Sequence, residues 1–119
     1  MSYVHLLAAW QHQDLEEVKS LIDENVIATL VHPDGLVSNL SYEGLVDFFH
    51  ERFSRQQDWN FEIIYKTERD TQSIVIMKMT REDKDFNGVD SPSLSLLTFN
   101  MSEGVNKLIR AHFELGLNQ

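Results

Sequence analysis

The sequence has no cysteine, which excludes a disulfide framework. Its two prolines and five glycines are too few for a collagen-like repeat or a low-complexity tail. Positive charge is scarce: 10 Lys and Arg stand against 19 Asp and Glu, a formal net charge of -9. The imbalance is concentrated in residues 1–60, where ten acids face three bases, and a surface of that sign repels nucleic acid and anionic membranes. Long apolar runs are also missing. The longest is Val26 to Val31, far short of the roughly 20 residues that cross a bilayer. The opening MSYVHLLAAW has no basic flank and meets polar residues at Gln11, so it does not read as a secretion signal, and a cytoplasmic location is expected.

What remains is a chain of 119 residues that is 42% apolar, enough to bury a core without metal or disulfide support and short enough to form one domain spanning 1–119. Tyr3, Leu6, Leu7 and Trp10 recur at helical steps behind Ser2, a capping residue, and predict a first amphipathic helix. Asp14 followed by Glu17 resembles a capping box and predicts a second helix with Leu15, Val18, Leu21 and Ile22 on its apolar face. The β-branched stretch Val26 to Val31 predicts a strand that stops at His32-Pro33-Asp34-Gly35, with Leu36 and Val37 as a brief hairpin partner. Ser41 is placed to cap a third helix carrying Leu45, Phe48, Phe49 and Phe53.

The period then changes to two. Trp59, Phe61, Ile63 and Tyr65 alternate with polar neighbours, and Val75, Met77 and Met79 share a face of the next strand. Arg81 to Pro92 reads as a long acidic loop at the rim of the fold, with Phe86 as a lid. Ser93 to Met101 and Asn106 to Leu115 are the last two strands, joined at Ser102-Glu103-Gly104. Helices first and strands last give an α+β class with an antiparallel sheet. Strict alternation on the final strand puts Ile109, Ala111, Phe113 and Leu115 on the inner face and Leu108, Arg110, His112 and Glu114 on the outer one. With Leu94 and Leu96 beside them, Leu108, Arg110 and His112 make a half-apolar outer face suited to a homodimer interface.

The order of these elements, with Gln13-Asp14-Leu15, His32-Pro33-Asp34-Gly35 and Lys107 to Glu114 at their places, resembles the nuclear-transport-factor-2-like superfamily, and within it the SnoaL-like small bacterial proteins. The resemblance implies a cone: a strongly curved antiparallel sheet wrapped around the N-terminal helices, with a pocket at its open end and dimerisation through the outer sheet face. In the steroid-isomerase branch the catalytic base is an acid just before a proline at the end of the first strand, which is where His32 stands here. An imidazole exchanges protons near neutral pH, so His32 is the candidate general acid/base. The partners of that base are missing, because Leu6 and Ser95 stand where that branch has a tyrosine and a protonated acid. Without donors for a developing enolate, steroid isomerisation is not expected.

The candidate pocket set is Trp10, Trp59, Tyr65, Met77, Met79, Ser95, Leu97, Phe99 and Phe113, which suits a small apolar or aromatic molecule. No metal is expected: His5 and His12 lie two helical turns apart, and no His-Glu-x-x-His run occurs. No glycine-rich phosphate loop or Gly-x-Ser-x-Gly elbow is present, and no cofactor is expected. Three functions stay open: a binding module for a small hydrophobic molecule, an isomerase, cyclase or dehydratase using His32, and a protein-interaction domain.

Overall fold

A computed structural model describes residues 3–83, 88–89, 92–101 and 106–117, so the expected cap Ser2, the expected lid Phe86 and the turn Ser102-Glu103-Gly104 lie outside the described residues. Three helices precede or interrupt the strands: α1 (Val4–Gln11), α2 (Leu15–Ser20) and α3 (Tyr42–Arg52). At the start of α2 the Asp14 side chain accepts a hydrogen bond from the Glu17 amide at 3.2 Å, satisfying one of the orphan N–H groups of the first turn. Ser41 stands at the N-cap of α3 without making a side-chain cap bond.

The strands are β1 (Ile22–Val31), β2 (Val37–Leu40), β3 (Gln57–Arg69), β4 (Gln72–Asp83), β5 (Gly88–Val89), β6 (Ser93–Asn100) and β7 (Lys107–Glu114). They form an open sheet in the order β2-β1-β7-β6-β4-β3, with β5 added to β4. The sheet is mixed, whereas the sequence pattern suggested an antiparallel one: β1 and β7 run parallel, and every other described pairing is antiparallel. The meander from β3 to β7 brings the last strand back beside the first in the same direction, a long-range pairing that local patterns do not encode. β4 also runs further than expected, to Asp83, so Arg81 belongs to a strand, and Gly88 and Val89 pair with Asp83 and Glu82 as β5.

The helices fill the concave face. Leu6, Trp10, Val18, Leu45 and Phe49 from the helices meet Val26, Ala28, Val75, Met77, Leu97, Phe99 and Phe113 from the sheet in a single buried core. Trp10 is its hub, with ring centroids 4.7 Å from Phe49, 5.2 Å from Phe61 and 5.6 Å from Trp59. The contacts with Phe49 and Phe61 are edge-to-face, a geometry that adds about 0.5–1.5 kcal/mol each beyond area burial.

Two bulges decide which side chains face inward. On β3, Ile63 pairs with Met77 but Tyr65 pairs with Ile76, leaving Ile64 as the extra residue. On β7, Arg110 pairs with Thr98 but Leu108 pairs with Phe99, leaving Ile109 as the extra residue. A one-residue slip sends every following side chain to the opposite face. Tyr65, expected inside, is therefore on the outer face and 59% exposed, while Leu108, expected outside, is fully buried beside Phe99.

Candidate functional site

The open end of the cone contains a cleft of about 330 Å³. Its walls come from seven places in the chain: Trp10 of α1, His32 and Pro33 after β1, Phe48 and Arg52 of α3, Trp59 of β3, Met79 to Arg81 of β4, Ser93 at the start of β6, and Leu115 and Gly116 after β7.

His32 arrives there by alternation. Val26, Ala28 and Leu30 are buried on the concave face of β1, so the next position in that phase, His32, points the same way at the strand's end. The backbone then closes a turn, with the His32 amide donating to the Leu36 carbonyl at 2.8 Å and the Gly35 amide donating to the His32 carbonyl at 2.8 Å. Gly35 takes a φ of +89° in this turn. The ring is held by Nε2, which is 2.9 Å from Ser38 Oγ on β2. Ser38 is not among the cleft residues, so this contact orients the imidazole and does not present a nucleophile to a ligand.

The aromatic wall is fixed more firmly. Trp59 Nε1 donates to Gln13 Oε1 at 3.2 Å, and the same oxygen accepts from the Gln57 amide at 2.9 Å. Gln13 Nε2 donates to the carbonyls of Arg55 at 2.7 Å and Phe53 at 3.4 Å, so one side chain ties the end of α3 to the start of β3. Arg52 lies with its guanidinium carbon 4.6 Å from the Phe48 ring centroid, and that of Arg81 lies 5.8 Å from Trp59. Arg81 also donates to Gln57 Oε1 at 3.4 Å. Such cation–ring contacts contribute about 0.5–1 kcal/mol at partly exposed sites and hold both guanidiniums in place.

Of the residues expected in the pocket, Trp10, Trp59 and Met79 line the cleft, and so does His32. Met77, Ser95, Leu97, Phe99 and Phe113 do not: all are fully buried beneath it. The reason is packing, since the aromatic cluster around Trp10 plugs the cone and leaves only its rim open. The hydroxyl of Ser95 donates to the sulfur of Met79 at 3.4 Å. Tyr65 lies on the other side of the sheet.

Arg52 and Arg81 were missed. The signal for Arg81 was present, because Val75, Met77, Met79 and Arg81 continue one alternation. That for Arg52 was its place one helical turn after Phe48. Among the described residues no group of three or more His, Asp or Glu side chains is positioned to hold a metal ion. No described helix is long and apolar enough to cross a membrane.

No protein-family model matches this sequence, and no curated protein matches it. Solved structures do match in fold. A proposed calcium/calmodulin-dependent protein kinase type II association domain from Thiobacillus denitrificans superposes with a TM-score of 0.77 at 11% identity, over 98% of this chain and 93% of that one. A proposed dehydratase of the NTF2-like family from Streptomyces avermitilis gives a TM-score of 0.75 at 13% identity, over 98% and 92%. A ketosteroid isomerase-like protein from Erwinia carotovora atroseptica gives 0.69 at 16% identity, over 95% and 89%.

Proposed function

The chain has the nuclear-transport-factor-2-like fold, and from that premise we propose that it is a small-molecule-binding domain whose site is the cleft at the open end of the cone. The observation that carries this reading is the cleft itself: about 330 Å³, walled by Trp10, Phe48 and Trp59, with His32 at its edge. That size lies at the lower end of small-molecule sites, and an apolar wall with a few placed polar groups is their usual composition. Native mass spectrometry of protein purified from cells is the test. A retained small molecule supports the binding module. A co-purified polypeptide, with the cleft empty, favours a protein-interaction domain instead.

The enzymatic alternative rests on His32, whose ring is oriented by Ser38 and borders the cleft. An imidazole so placed can relay a proton to a bound molecule. It lacks neighbours that would stabilise a developing oxyanion in the manner of a steroid isomerase, since Leu6 is buried in the core and the Ser95 hydroxyl is engaged by Met79. Binding without turnover therefore accounts for more of the site than catalysis does.

The same reading includes a homodimer formed through the outer sheet face. Cross-strand pairing sets Thr29, His112, Leu96, Ile76 and Tyr65 in one row across five strands, with Ile27, Arg110, Thr98 and Ile74 in the next. Leu94 and Glu114 continue the face at its end. Ile27, Tyr65 and Leu96 are exposed at 65%, 59% and 40%, an apolar content that a second copy would cover. Leu108 is not part of this surface.

A further inference from the structure

Trp10 and Trp59 both line the cleft, but their indole N–H groups are treated differently. That of Trp59 donates to Gln13 Oε1 at 3.2 Å, from a glutamine held at a φ of +53°. That of Trp10 is buried, on a residue only 1% exposed, and has no hydrogen-bond partner. Among the described residues it is the one buried side-chain nitrogen or oxygen left unmatched. Even the hydroxyl of Ser95, fully buried beneath the cleft, reaches the Met79 sulfur at 3.4 Å. Native proteins satisfy nearly all buried donors, because an orphaned one forfeits its hydrogen bond to water with nothing in return. The faces of the rings packed around Trp10 are far weaker acceptors than an oxygen or a nitrogen lone pair.

The other polar side chains on the cleft do not select a ligand in the same way. Arg52 and Arg81 already have partners, Arg81 on Gln57 Oε1 at 3.4 Å. The hydroxyls of Thr80 and Ser93 both donate and accept. The His32 ring, held through Nε2 by Ser38 Oγ at 2.9 Å, presents Nδ1 as donor or acceptor according to its tautomer. An indole N–H only donates. A molecule that fills the cleft without an acceptor for Trp10 leaves this donor stranded, whereas one that brings an acceptor makes a bond the protein alone does not. The walls beside it, Phe48, Trp59 and the adaptable Met79, suit a flat apolar body.

Taking the cleft as the binding site, we propose that it holds a small flat molecule through a hydrogen-bond acceptor, a carbonyl oxygen or an aromatic ring nitrogen, that takes the indole N–H of Trp10. The acceptor lies at the buried end of the molecule, because Trp10 is so deeply set. Trp10 then separates acceptor-bearing molecules from hydrocarbons of the same shape, and such discrimination is strong where a buried polar group would otherwise go unpaired.

The test compares isosteres that differ only in the acceptor: quinoline with naphthalene, and acetophenone with α-methylstyrene. The two tryptophans give two indole N–H signals in a ¹⁵N–¹H spectrum, assigned with Trp59→Phe. The expected result is saturable movement of the Trp10 signal, its proton downfield, with at least one acceptor probe, and an affinity about tenfold weaker or less for the hydrocarbon of that pair. Trp10→Phe keeps a ring and drops the N–H, so the two members of that pair should then bind within about threefold of each other, in a variant shown to be folded by a cooperative thermal transition. Should that variant not fold, the unaltered chain decides by the Trp10 proton shift, downfield with the acceptor probe and not with its hydrocarbon. Equal affinity within both pairs would overturn the role of Trp10 while leaving the cleft a binding site, and so would a preference undiminished in folded Trp10→Phe. Failure of all four probes to move either indole signal would overturn the acceptor and the binding site together.

Discussion

Gln13 Oε1 accepts the indole N–H of Trp59 at 3.2 Å, although the two residues are 46 positions apart and Gln13 itself sits at a φ of +53°. The left-handed backbone breaks the chain between α1 and α2 and turns this side chain toward the start of β3. It then bonds the Gln57 amide and the Phe53 and Arg55 carbonyls as well, so one glutamine closes the connection that carries an aromatic wall of the cleft.

Replacing Gln13 separates the side chain from the backbone. Gln13→Ala removes these bonds and keeps the unfavourable φ, and should cost about 2–3 kcal/mol in urea denaturation. Gln13→Gly loses the same bonds but relieves the left-handed conformation, so it should be roughly 1 kcal/mol less harmful than alanine. Equal stability for the two variants would show that the backbone at Gln13 is not strained.

Gly116 tests the opposite wall. It has a φ of +62°, and a Cβ there would lie 2.8 Å from Pro33 Cγ, with both residues lining the cleft. Gly116→Ala should lower stability by about 1–3 kcal/mol and displace the turn that follows His32. Calorimetry measures the first effect. A shift of the His32 ring signals measures the second, and their constancy would mean that the loop after β7 absorbs the clash alone.

These two positions show what local sequence does and does not encode. The three helices, the stop at His32-Pro33-Asp34-Gly35 and the inward phase of Ala28, Leu30 and His32 follow from periodicity and turn chemistry, and the structure has them. The faces of Tyr65 and Leu108 do not, because each lies beyond a bulge that depends on the partner strand. Ile64 and Ile109 look like ordinary strand residues in the sequence. Arg81 was hidden for a related reason: an acidic stretch with an Asn-Gly pair reads as a loop, yet β4 stays paired with β3 as far as Asp83 and so carries the alternation through Arg81 to the cleft.

The bulge on β7 yields a prediction about assembly. Leu96 and Ile76 are cross-strand neighbours on the outer face, and Leu108 is fully buried. Leu96→Lys with Ile76→Lys should convert a dimer to folded monomers in sedimentation velocity, with little change in monomer stability. Leu108→Ala should instead leave association intact and cost about 2–5 kcal/mol, the usual penalty for emptying a packed leucine site. A dimer that survives the double lysine variant would place the interface on another surface.

His32 divides binding from catalysis. Its Nε2 is 2.9 Å from Ser38 Oγ, so Ser38→Ala frees the ring while leaving the backbone turn closed by the bonds to Leu36 and from Gly35. A neutral side-chain hydrogen bond contributes about 0.5–1.5 kcal/mol, and the stability loss should stay within that range. In a binding module the aromatic wall holds the ligand, so both Ser38→Ala and His32→Ala should change the affinity for a molecule retained from cells by less than about fivefold, measured by calorimetric titration. In an acid/base enzyme the two variants part. For any substrate found by retained-ligand analysis, His32→Ala would abolish turnover with binding preserved, and Ser38→Ala would reduce turnover only to the extent that a freed ring samples wrong orientations, of order 10–100-fold. Turnover unchanged in His32→Ala would remove this residue from any catalytic account.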